Sequence, residues 1–205
     1  MSLIKEAEKY LGADQAEKYR LMDYYNNNCY PFVDAKRKYK IQRGDNWCAM
    51  FTTVIANRCG LNSTQFPYEV SVMQQLKWGL ETGRFTREFS ETKAGDLILY
   101  SWKANGHCDH VGMVVRFELG KLLVIEGNKS DTVAYRRVSL ESPQVYGYIR
   151  VGAQDGLEDG TVSEGERIAM LGREVMRGRY GVGGDRQKLL GDDYPAVQAW
   201  INSNY

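Results

Sequence analysis

The sequence predicts an α+β protein, with N-terminal helices packed on an antiparallel β-sheet and a small three-helix bundle at its end. Three observations carry this. Apolar residues recur at helical spacing in segments of the first 82 positions, and β-branched and aromatic runs take over between Asp96 and Val151. A Gly-rich, acidic stretch then precedes a last helical pattern. Helices first and a meander of strands second is the order of segregated layers, not of alternating βαβ units.

The elements follow in order. Residues 3–11 place Ile4, Ala7 and Leu11 at helical spacing. The segment 23–46, rich in Tyr and Asn, reads as irregular structure. From Trp47 to Cys59, Phe51, Val54 and Ile55 form an apolar stripe, and Gly60 is the expected C-cap. Another helix is expected over 69–82 around Val72, Leu76 and Leu80. Strands are expected at 96–102, 111–117, 122–126 and 132–138, divided by the turn clusters KANG and ELGK, and VYGYIRV closes the set at Val151.

Residues 152–162 (GAQDGLEDGTV) have little to bury and read as a linker, giving an expected division into 1–151, 152–162 and 163–205. Ser163 and Glu166 have the spacing of a capping box, followed by Ile168, Leu171, Val175 and Met176 at helical spacing and a stop at Gly178. Two short helices are expected at 184–190 and 195–202, carrying Leu189, Leu190, Val197, Trp200 and Ile201.

Composition bounds the function. The chain has 205 residues, 43% of them hydrophobic and 26% charged, the balance of a soluble globular protein with one ordinary domain and a small second one. A formal net charge of +1 gives no bulk attraction to nucleic acid or to an anionic membrane. No stretch reaches the roughly 20 apolar residues of a membrane span, so no membrane insertion is expected. The opening MSLIKEAEKYLG lacks an apolar h-region, so no secretory signal is expected and a substrate outside the membrane requires another means of delivery. Four cysteines are too few for a disulfide scaffold and are expected as thiols.

One constellation carries chemistry. A thiol attacks a carbonyl as thiolate, a form favoured at a helix N-terminus beside an imidazole. Cys48 opens the helix WCAMFTTVIANRC, where unpaired backbone N–H groups also offer an oxyanion site. Cys59 lies at the far end of that helix and Cys29 in the irregular segment. Of the two histidines, His107 lies in a loop, whereas His110 begins the strand HVGMVV with neighbours on both sides to hold its ring. Glu126 and Asn128, two residues apart on LLVIEGNKS and hence on one face, are both candidates to orient the imidazole, with Glu126 ranked first because its charge stabilises the imidazolium. The cluster His107, Cys108, Asp109 and His110 suggests a metal, but four adjacent residues in a turn cannot all face one ion, and no CxxC or HExxH is present. No metal and no cofactor are expected.

The pieces DNWCAMF, AGDLILY, CDHVGMVV and VIEGNKS, in this order, resemble the cysteine, histidine-dependent amidohydrolase/peptidase (CHAP) family over residues 5–151. The resemblance implies a papain-like fold and a peptidoglycan hydrolase of the kind found in phage endolysins and bacterial autolysins, with Cys48 as nucleophile, His110 as base, and Glu126 and Asn128 as orienting residues. The acidic calcium loop of some members is not found, and Asp45 or Asn46 are the candidates for an oxyanion side chain. The stretches REVMRGRYG, GDRQKLLG and YPAVQAWIN resemble a short three-helix cell-wall-binding repeat, present here in one copy. Residues 163–205 carry six basic and six acidic side chains, so a groove with aromatic and hydrogen-bonding groups, not net charge, is the expected means of recognition. Arg173, Arg177, Tyr180 and Gln198 are its candidates.

These readings point to a cysteine-dependent hydrolase cutting an amide in the peptide part of bacterial peptidoglycan through a thioester. The competing readings are a wall-binding protein without activity, which has no need of a nucleophile–base pair, and a cysteine protease acting on proteins, for which a wall-binding repeat has no purpose.

Overall fold

The computed structural model describes residues 2–33, 38–118, 121–151, 164–176, 180 and 182–205. The chain divides into two compact units, Met1–Gly160 and Thr161–Tyr205. The expected linker 152–162, the cap residue Ser163, the helix stop Gly178 and the candidate Arg177 lie outside the described residues.

In the first unit, α1 (Leu3–Glu8) is N-capped by Ser2, and α2 (Gln15–Tyr24) by Asp14, whose carboxylate accepts from the Glu17 amide. The segment expected to be irregular is more ordered than its composition suggests. Helix α2 runs into a π-helical turn at Tyr25–Cys29 and a 3-10 turn at Tyr30–Phe32, and Tyr25 and Cys29 are buried. Tyr24, Tyr25 and Tyr30 serve packing, whereas Phe32 and Tyr39 are exposed.

Helix α3 (Cys48–Arg58) lies where the sequence places it, and Gly60 follows with φ at +81°, a conformation glycine adopts without a Cβ clash. Every residue from Cys48 to Ala56 is buried, so the helix is enclosed on all sides and not along one stripe. Helix α4 (Val72–Glu81) follows.

The sheet has six strands: β1 (Phe85–Thr86), β2 (Leu97–Tyr100), β3 (His110–Glu118), β4 (Lys121–Lys129), β5 (Thr132–Ser139) and β6 (Val145–Ile149). Their order is β1-β6-β2-β3-β4-β5 and each pairing is antiparallel. The short β1 was not expected from the sequence. Strand alternation sends Leu97, Leu99, Val111, Met113 and Ile125 into the core shared with α3. Gly127 allows the close approach of β4 to that helix, because a Cβ there would lie 2.5 Å from the Cβ of Phe51.

The second unit has α5 (Glu164–Met176), α6 (Gly184–Leu190) and α7 (Tyr194–Asn204). Ile168, Leu171, Val175, Leu190, Val197 and Ile201 form its core. Among the described residues, no helix is long and apolar enough to cross a membrane.

Candidate active site

Cys48 is the first residue of α3 and is buried. Across the β2–β3 pairing His110 stands opposite Tyr100, and in the β3–β4 register Met113 pairs with Ile125, with Gly112 and Glu126 the next residue along each strand. A Cβ at Gly112 would come within 2.8 Å of the Glu126 Cγ, so the absent side chain leaves the space that Glu126 occupies beside His110.

His110 Nε2 lies 3.1 Å from Glu126 Oε2, and the Cys48 side chain is the other group whose proximity raises the proton affinity of the ring. With Nε2 directed at the carboxylate, Nδ1 is the ring atom left for sulfur. Burial alone pulls the imidazolium toward deprotonation, but the hydrogen bonds and charges of Cys48 and Glu126 outweigh it and push His110 up to about 9. Burial likewise works against the Glu126 carboxylate, and bonds from His110 and Arg136 nonetheless hold it below its ordinary range. Arg136 Nε reaches Glu126 Oε1 at 2.8 Å and Oε2 at 2.9 Å.

Aromatic rings enclose this group. Trp102 stacks on Tyr100 at 4.8 Å and on His110 at 5.6 Å between centroids. The Tyr100 phenol is kept protonated by burial and by the charge of Glu126. Neither Trp102 nor Arg136 is marked by any motif, although the strand alternation places one of the adjacent Arg136 and Arg137 on the Glu126 face.

Asn128 goes elsewhere. It has φ at +58°, the β4–β5 register shifts between Glu126 and Lys129, and its Nδ2 donates to Asn46 Oδ1 at 3.0 Å. The expected shared face of Glu126 and Asn128 is lost because the bulge breaks the two-residue period. The same turn supports the residue preceding the thiol: Trp47 Nε1 donates to Asp131 Oδ1 at 3.0 Å, which also accepts from Lys18 Nζ at 2.6 Å.

The carboxylate of Asp45, one oxyanion candidate, is occupied by the Tyr39 hydroxyl at 2.8 Å and the Gln42 amide at 2.7 Å. Asn46, the other, lies at the rim of a cavity of about 460 Å³ bordered also by Ile41, Glu69, Ser71 and Gln74.

The sequence cluster at 107–110 is dispersed. His107 is exposed and pairs with Asp109 at 3.8 Å, the Cys108 amide donates to Met73 Sδ, and His110 alone enters the site. Among the described residues, no group of three His, Cys, Asp or Glu side chains is arranged to hold a metal.

In the second unit, the Arg173 guanidinium lies 5.6 Å over the Trp200 ring, Gln198 accepts from Arg186 and donates to Asn202, and Tyr180 packs against the small core.

A family profile described as the CHAP domain matches residues 19–128, more than half of the chain, and one described as the CW_7 repeat matches residues 169–204. Comparison with curated proteins finds no significant match.

Proposed function

Since the chain belongs to the CHAP-domain family, which implies a peptidoglycan-directed amidase or peptidase, and carries a CW_7 cell-wall-binding repeat, we propose that it is a lytic enzyme of the endolysin type. In this reading Cys48 attacks a carbonyl in the peptide part of bacterial peptidoglycan while the repeat retains the enzyme on the wall. The observation that supports it is the His110 ring bonded to the buried Glu126 carboxylate, with the Cys48 thiol at the start of α3 acting on the same ring.

The reaction runs in two halves. The Cys48 thiolate adds to the amide carbonyl, and negative charge develops on oxygen near the unpaired N–H groups at the α3 N-terminus. His110 delivers its proton to the departing amine as the C–N bond breaks, leaving a thioester. It then takes a proton from water, whose oxygen attacks the thioester; the C–S bond breaks to release the Cys48 thiolate, the carboxylic acid product gives its proton to solvent, and the thiolate–imidazolium pair is restored. Glu126 fixes the ring so that Nδ1 stays directed at sulfur through both halves. In this reading Asn46, whose Oδ1 accepts from Asn128, serves as a supporting oxyanion donor two residues before the thiol.

Cys48→Ala is expected to abolish clearing of a bacterial wall suspension while circular dichroism and binding to insoluble walls stay unchanged. Clearing by Cys48→Ala at the parent rate would rule this reading out. Mass spectrometry of the released fragments identifies the bond cut, since an amidase frees an N-terminal alanine and an endopeptidase frees an amine within the stem or bridge.

A further inference from the structure

We propose that Arg136 is a positioning residue of this site: it shares the Glu126 carboxylate with His110, so that Glu126 orients the imidazole without retaining its proton too strongly. The proposal rests on the reading that Cys48 and His110 perform the chemistry. Residue 136 lies beyond the matched span 19–128, so the family similarity assigns it no role.

The Glu126 side chain is fully buried, and Arg136 Nε bonds both of its oxygens, whereas His110 bonds only Oε2. The guanidinium also lies 5.1 Å over the Trp102 ring and 5.8 Å over Tyr100. Trp102 in turn stacks on His110. One carboxylate and one indole therefore touch both the base and the arginine, and a change at Arg136 reaches His110 by both routes.

Charge gives the direction. The groups facing His110 are Cys48 from α3, Tyr100 from β2 and Glu126 from β4, with Arg136 of β5 behind the carboxylate and the neutral Trp102 ring over the imidazole. On its own segment, Asp109 pairs with the exposed His107. Tyr100 is uncharged, since burial and Glu126 hold its proton. In the thiolate–imidazolium state the set then holds two negative charges, Cys48 and Glu126, and two positive ones, His110 and Arg136. Without the guanidinium it carries a net negative charge in a buried setting, which favours the proton remaining on His110. Proton delivery to the leaving amine weakens as the acid becomes too weak. Arg136 thus sets the strength of the base as well as the position of its partner.

The test compares Arg136→Gln and Arg136→Lys with the parent in the full-length chain, and uses Arg137→Gln, whose arginine pairs with Glu118 at 3.0 Å on the other face, as a control. Two quantities are read: the NMR titration midpoint of His110 in the free protein, and the rate of wall clearing. The chain has two histidines, so a His107→Gln sample assigns the resonances.

For Arg136→Gln the midpoint is expected to rise by about half a pH unit or more and clearing to fall about tenfold or more. Arg136→Lys, with the charge kept but the bridging fork lost, should fall between the parent and Arg136→Gln in both quantities. Arg137→Gln should change neither. An unchanged midpoint in Arg136→Gln overturns the proposal even if clearing falls, because only a structural role would then remain. Should Arg136→Gln fail to fold, the midpoint of Arg136→Lys decides by the same criterion. The titration is read without substrate, so a failure of Cys48→Ala to stop clearing would refute the enzymatic reading and leave the charge measurement interpretable.

Discussion

The unit spanning Met1–Gly160 encloses ionisable groups, whereas in the unit spanning Thr161–Tyr205 the buried residues described are all apolar. In the first, Glu6, Lys18, Glu69, Asp96, His110 and Glu126 are buried within or beside a core reaching from Leu3 to Val151. In the second, the described core is Ile168, Leu171, Val175, Leu190, Val197 and Ile201. Removing a charge from water costs several kcal/mol even after relaxation, and a small core has little surplus to offset it. The contrast assigns different work to each unit. A buried, mutually neutralising set of charges is possible in the large unit, and in the proposed reading the small one meets its ligand with surface groups such as Arg173 and Gln198.

The largest expected effect lies in the buried set. Glu126→Gln removes the charge that both His110 and Arg136 share, and clearing should fall by roughly 10²–10³-fold. Turbidity assays on walls, with melting curves to check the fold, measure it. Clearing near the parent rate would mean that the buried carboxylate only supports structure, and the contrast between the units would lose its functional meaning.

The next effect lies in the small unit. A Cβ at Gly172 would stand 2.1 Å from Trp200 Cε3, so Gly172→Ala forces α5 and α7 apart at a cost of about 1–3 kcal/mol. In so small a core this should reduce retention on insoluble walls while the rate of Cys48 alkylation by iodoacetamide stays unchanged. Loss of alkylation in Gly172→Ala would show that the two units do not act independently.

The smallest effect is on stability against pH. His110 rises from 6.5 to about 9 in the folded protein, so the stability it contributes is fully present below 6.5 and is lost as pH rises through about 9. Buried Cys29 and Cys108 and half-buried Cys59 are pushed up to about 12, 11 and 11, so their contributions are lost only above this window. Calorimetry from pH 6.5 to 9 should show the melting temperature of the large unit falling, less so in His110→Gln. The small unit buries no ionisable group among the described residues and its transition should stay in place. A parallel shift of both transitions would defeat the comparison.

Much of the site was legible because local signals coincide with it. Apolar spacing and Gly60 bound the helix that Cys48 opens, and the run HVGMVV places His110 at a strand start. Helix α2 had a signal that composition obscured: Asp14 with Glu17 three residues on is a helix start, masked by the Tyr- and Asn-rich stretch after it. The orientation of Asn128 escapes the sequence because strand alternation assumes an unbroken ladder, and the shift after Glu126 cannot be read from residue types.

By itself the sequence determined the α+β order of elements, the thiol at a helix start, the imidazole at a strand start and the carboxylate on the neighbouring strand, since each depends on periodicity and caps within a few residues. Tertiary structure alone decided that Glu126 faces His110 across Gly112, that Asn128 turns to Asn46, and that Arg136 rather than Arg137 meets the buried carboxylate. These depend on register: Val124 pairs with Arg136 and Leu123 with Arg137, and a slip of one residue would exchange the two faces. Register is set by the packing of whole strands against α3, a sum over distant contacts that no short stretch of sequence contains.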